Sequence, residues 1–102
     1  MKRNKASVSH RERLIEELKR DPALAAEYLN VAAAEGDAQS YLLALRTVAE
    51  ARGITKVAKA AGVPRESIYR ALSPKGNPRL STLTAVLKAA GFRMAVASIT
   101  RR

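Results

Sequence analysis

A chain of 102 residues is about one domain, and at 47% apolar, mostly Ala, Leu and Val, it is neither disordered nor long enough for two cores. It has no cysteine, which excludes disulfides and thiolate metal sites and fits a cytoplasmic protein, and no run approaches the roughly 18 apolar residues of a membrane span. The formal charge of +10 is uneven: residues 1–20 carry net +4, residues 21–50 net −4 and residues 51–102 net +10, so the C-terminal half is suited to a polyanion such as nucleic acid.

The basic opening "MKRNKASVSH" is followed by no apolar run, so it reads as a flexible tail over residues 1–8 and not as a signal peptide. A single domain over residues 9–102 follows. Ser9 and Glu12 have capping-box spacing and open a short helix with Leu14, Ile15 and Leu18 on one face. Asp21 and Pro22 are the N-cap and first residue of a second helix, with Leu24, Ala25, Tyr28, Leu29 and Ala32 inward and Gly36 at its end. Asp37 caps a third, running to about Arg52, whose Tyr41, Leu42, Leu45, Val48 and Ala49 form a buried stripe. Gly53 suits the left-handed residue after it.

Thr55 is placed to cap a fourth helix, about 56–61, that stops at Gly62; a fifth runs from about Arg65 to Leu72. "SPKGNPRLS" is a loop by its turn residues. A sixth helix, about 81–90, has Leu83, Val86, Leu87 and Ala90 on one side and ends at Gly91. From Phe92 the period changes: Phe92, Met94 and Val96 alternate with Arg93, Ala95 and Ala97, which predicts a strand over about 92–99. A lone strand has no partner in its own chain, so the pattern predicts pairing with a second copy, with Phe92, Met94 and Val96 as dimerisation residues. The fold class expected is all-α: five to six short helices around a lambda-repressor-like helix-turn-helix, plus that one C-terminal strand.

The helix-turn-helix is read from "ITKVAKAAGVPRESIYRALS", residues 54–73. Ala58 is the small residue where two helices cross, Gly62 can take positive φ at the turn, and Val57, Ala61, Val63, Ile68 and Leu72 pin both helices. These offsets match the Cro/repressor type and predict DNA binding. With Ile68 and Leu72 inward, Arg65, Glu66, Ser67, Tyr69 and Arg70 are left to read base edges, since Arg can bind guanine through two hydrogen bonds and Glu can accept from cytosine. Thr55, Lys56 and Lys59 on the first helix, and Lys75, Asn77 and Arg79 in the following loop, are placed for phosphates. Pro64 stands where Ser or Thr often caps the reading helix, and it leaves open which of Arg65 and Glu66 reaches deeper.

Beyond that motif, residues 21–97 resemble the probable addiction-module antidote proteins, antitoxins with a Cro/C1-type helix-turn-helix. The resemblance is carried by A-x-Y-L-N, by L-A-L-R-x-V-A-E-A-R-G and by Y-R-A-L-S-P-x-G-N-P, as they stand in "DPALAAEYLNVAAAEGDAQSYLLALRTVAEARG" and "VAKAAGVPRESIYRALSPKGNPRLSTLTAVLKAAGFRMAV". It implies a type II toxin–antitoxin module. The protein would neutralise a small toxin similar to the RelE/ParE class and repress its own operon as a homodimer on operator DNA. Toxins of that class are usually basic, so the acidic segment is the implied docking surface, with Glu27, Glu35, Asp37 and Glu50 as candidates. No cofactor and no metal are implied.

A free-standing phage-type Cro/C1 repressor without a toxin partner is the alternative, and a protein- or RNA-binding module is a further one. An enzyme is the weakest reading. His10 is the sole histidine and sits near a helix start, and the sequence shows neither a Gly-rich phosphate loop nor a clustered carboxylate pair.

Overall fold

The computed structural model describes the backbone of residues 5–99 and the side chains of residues 10–99. Six helices follow in order: α1 (Lys5–Arg20), α2 (Pro22–Ala34), α3 (Ala38–Arg52), α4 (Ile54–Ala61), α5 (Arg65–Ala71) and α6 (Leu80–Ala89). The described residues are all-helical, with no strand among them.

Local chemistry sets most of the boundaries. Asp21 caps α2 by accepting from the Leu24 N–H at 3.1 Å, and Pro22 takes the first turn, where a missing N–H costs nothing. Asp37 caps α3 through both carboxylate oxygens, one accepting from the Gln39 N–H at 3.2 Å and the other from the Ser40 hydroxyl at 2.9 Å. Gly62 closes α4 at φ 71°, with the Val63 N–H reaching back to the Ala58 carbonyl and the Gly62 N–H to that of Lys59, a Schellman turn.

Two starts differ from the sequence reading. Helix α1 begins at Lys5, so residues 5–8 are helix and not tail, and Ser9 lies inside it and not at a capping position. Residues 5–8 are Lys, Ala, Ser and Val, with no Gly or Pro among them to delay the start to Ser9. Residues 1–4 of the expected tail, and 100–102 at the other end, lie outside the described residues. Helix α4 begins at Ile54, not after Thr55. Gly53, at φ 101°, ends α3 and starts α4 at once, which leaves Thr55 in the first turn with no capping role.

Helix α3 is the centre of the fold: it packs on α1, α2 and α4, while α4 packs in turn on α5 and α6. Leu45, Val48 and Ala49 of α3 are fully buried, joined by Leu18 of α1, Ala25 of α2, Ile68 of α5 and Val86 of α6 in one core. Thr47 is the buried polar residue of that core, and its hydroxyl is satisfied by donating to the Leu43 carbonyl at 2.9 Å. The expected apolar faces of all six helices reach this core, some fully buried and some at its margin.

The C-terminal strand is not formed. Gly91, at φ 97°, ends α6 in a second Schellman turn, in which the Phe92 N–H donates to the Leu87 carbonyl at 2.8 Å. That turn folds Phe92 back onto the core, half-buried, with the Arg52 guanidinium 5.7 Å from its ring centroid. Phe92 is therefore occupied within its own chain. Met94 and Val96 stay exposed, and residues 92–99 form no strand within the chain.

Candidate nucleic-acid interface

The turn between α4 and α5 is three residues, Gly62 to Pro64. Pro64 has φ −61° and ψ 148°, an extended geometry that offers no side-chain cap. Its carbonyl accepts from the Ser67 N–H at 3.0 Å and the Ile68 N–H at 3.1 Å, so α5 opens at Arg65 without a capping side chain. Arg65 and Glu66 thus occupy its first turn, where the acid is favoured by the positive end of the helix dipole. Ile68 and Leu72, one turn apart, enter the core at 0% and 1% exposure and fix the rotation of the helix.

That rotation divides the five expected base-reading residues. Arg65, Glu66 and Arg70 are exposed on the outer face. Ser67 and Tyr69 are half-buried on its flanks, and Tyr69 has the Arg46 guanidinium of α3 at 5.6 Å from its ring centroid. Tyr69 therefore touches the protein on one side and can meet a ligand with what remains. The six expected phosphate residues are all exposed: Thr55, Lys56 and Lys59 on α4, Lys75 and Asn77 in the loop, and Arg79 at the N-cap of α6.

The loop is tied to α5. The Ser73 hydroxyl donates to the Arg70 carbonyl at 2.9 Å and the Gly76 N–H to the Ser73 carbonyl at 2.8 Å. A Cβ at Gly76 would lie 2.0 Å from the Ala71 carbonyl oxygen, so a glycine is required there by close approach to backbone, not by φ. This contact holds Lys75 and Asn77 beside the end of α5. The turn is legible in the sequence from its turn residues, but the Gly76 constraint is not, its visible trace being a glycine between Lys75 and Asn77.

The expected toxin-contacting acids fall into two groups. Glu27 and Glu35 are exposed on α2 and at its end. Asp37, though exposed, spends its carboxylate on the α3 cap. Glu50 faces inward to two arginines: one oxygen pairs with Arg11 of α1 and the other lies 3.7 Å from Arg46 Nε, with the carboxylate side chain 20% exposed. Next to the exposed face of α2 runs a groove lined by Leu29, Asn30, Tyr41, Leu87, Phe92 and Met94. Burial raises the pKa of Tyr41 there above its usual value, which keeps the phenol neutral. No described helix is long and apolar enough to cross a membrane.

Set beside known proteins, residues 12–98 match the model of a family described as probable addiction module antidote protein. The chain is also similar to an uncharacterized protein of Haemophilus influenzae, 39% identical over 69 residues that span 68% of this chain and 71% of that one. No solved structure matches.

Proposed function

This chain belongs to the probable addiction module antidote protein family, and from that premise we propose that it is a type II antitoxin that also represses its own operon. In this reading the protein binds a small toxin similar to the RelE/ParE class and binds operator DNA as a homodimer, with no chemistry of its own. The observation that carries the DNA half is the α4–turn–α5 unit. Its outer helix is pinned by Ile68 and Leu72 and presents Arg65, Glu66 and Arg70, with exposed Lys56, Lys59, Lys75 and Arg79 on the neighbouring segments. Such a helix-turn-helix puts the second helix in the major groove while the first crosses the phosphate backbone. Arg65 is the residue we place on guanine, since it opens the helix and points to solvent.

For the toxin half, the reading is supported by the exposed face of α2, with Glu27 and Glu35 and the groove beside it. We propose Met94 and Val96, exposed at the C-terminal end, for the contact between two copies; Phe92 serves its own core.

The test has two arms. Co-expression with the product of the adjacent gene is expected to give a complex that survives purification, and footprinting of the upstream DNA is expected to show two half-sites about 34 Å apart, one helical turn. Neutralising about six to eight phosphates per dimer gives a log–log salt slope of roughly −5 to −7. Protection of the DNA without any complex would leave the free-standing repressor in place of the antitoxin. A salt-insensitive, sequence-indifferent interaction would remove the DNA half.

A further inference from the structure

The aromatic ring on the reading helix is held from outside the motif. Arg46 lies on α3, and its guanidinium sits 5.6 Å from the Tyr69 ring centroid, within the distance at which a cation is attracted to an aromatic face. Arg46 is itself restrained. Its side chain is 34% exposed, but its Nε is shut off from solvent and has no hydrogen-bond partner among the described residues. The nearest acid is Glu50, one turn along the same helix, at 3.7 Å. The other oxygen of Glu50 pairs with Arg11 of α1. One carboxylate thus bridges two arginines from two helices, and the inner arginine reaches a third helix through Tyr69. The link runs from α1 through α3 to α5.

We infer that Arg46 is a positioning residue for the DNA-reading surface: it sets the Tyr69 ring, and with it the flank of α5, from the α3 side, while Glu50 and Arg11 fix Arg46 in turn. The inference rests on the DNA reading proposed above, and it assigns Arg46 and Glu50 a role that neither the helix-turn-helix pattern nor the acidic-segment argument gives them. The physical reason is placement. Helix α5 has seven residues and its rotation is fixed by Ile68 and, just past its end, Leu72, which leaves Tyr69 half-buried on the flank, where the contact with Arg46 acts on the ring of a helix that does not itself turn. The Glu50 carboxylate one turn away attracts the guanidinium and biases it toward the side on which the Tyr69 ring lies. Arg46 does not need to touch DNA to affect what α5 reads.

The experiment uses the full chain and the upstream duplex found by footprinting, with a random duplex of equal length as control. Arg46→Met, Arg46→Lys, Glu50→Gln and Tyr69→Leu are compared by titration at several salt concentrations. Arg46→Met is expected to weaken specific binding about three- to tenfold, the scale of a partly buried cation–π pair, with the salt slope unchanged. Glu50→Gln is expected to move binding in the same direction by less, and Arg46→Lys to recover part of the loss. The double variant Arg46→Met/Tyr69→Leu is expected to bind no worse than Tyr69→Leu, because both remove one contact. A salt slope that falls by about one unit in Arg46→Met, with additive losses in the double variant, would make Arg46 a phosphate contact and overturn the inference. Unchanged binding in Arg46→Met would overturn it as well.

The NMR signals of the Tyr69 ring in the free protein supply a second readout. They are expected to shift in Arg46→Met and in Glu50→Gln while the core signals of Ile68 and Leu72 stay in place. Ring signals indifferent to both substitutions would refute the coupling. If the wild-type protein bound no duplex, the DNA reading would fall, and these signals would then decide the coupling alone.

Discussion

Helices α2 and α5 occupy comparable places, each an outer helix pinned to the α3-centred core by buried apolar residues, and their outer faces are opposites. Helix α2 shows solvent Ala23, Glu27, Asn30, Val31, Ala33 and Ala34, and residues 21–45 hold no Lys or Arg at all. Helix α5 shows Arg65, Glu66 and Arg70, flanked by lysines on α4 and in the loop. A weakly acidic face favours a basic partner; a face of arginines among lysines favours phosphate and base edges. One small core therefore supports two surfaces of different chemistry, as the proposed reading requires if a toxin and an operator are to be met on separate residues.

Both faces depend on the shared core. Leu45→Ala on α3 removes a fully buried side chain where both surfaces are anchored and is expected to cost about 2–5 kcal/mol, read as a lower melting temperature in one cooperative transition. Two separate transitions would show that the surfaces rest on independent units. Gly76→Ala sharpens the division. It places a methyl against the Ala71 carbonyl and is expected to cost about 1–3 kcal/mol in stability, with operator binding weakened beyond that and toxin binding kept in the folded fraction.

Smaller effects separate the two faces one residue at a time. Arg65→Ala is expected to weaken specific operator binding by about 1–3 kcal/mol and to relax base preference at one position. An equal loss on operator and random duplexes would demote Arg65 to a phosphate contact. Charge reversal of Glu27 and Glu35 to Lys is expected to slow toxin association severalfold and leave duplex affinity at or slightly above wild type, measured by surface binding kinetics. Unchanged toxin kinetics would move the docking surface off α2.

Much of the fold was legible because it is local. Asp21, Asp37, Gly53, Gly62 and Gly91 mark helix ends through their own backbone and capping chemistry, and the structure uses each of them at the end it marks. The apolar spacing of α2, α3 and α6 was equally readable, since burial of one helix face leaves a 3.6-residue period. The departures from local expectation have the same logic in reverse. Alternation over Phe92 to Ala97 is a short pattern, and a strand needs a neighbour; the Schellman turn at Gly91 sent Phe92 into the core instead. Glu50 looked like a free surface acid because nothing in its neighbourhood of sequence announces Arg11, which lies thirty-nine positions away. Helical spacing alone places Tyr69 outward, and the structure has it half-buried because Arg46 of α3 lies beside its ring.

Charge, caps and periodicity act within a few residues, and they are enough to specify a helical chain with an acidic middle, a basic C-terminal half and a tight turn between two short helices over residues 54–73. Which residues of α5 stand free, why Gly76 must be bare of a side chain, and how Arg11, Glu50, Arg46 and Tyr69 come into one connected line follow from the packing of the helices. Those are contacts between segments far apart in the chain, and their distances are set by how the helices pack and not by any local preference.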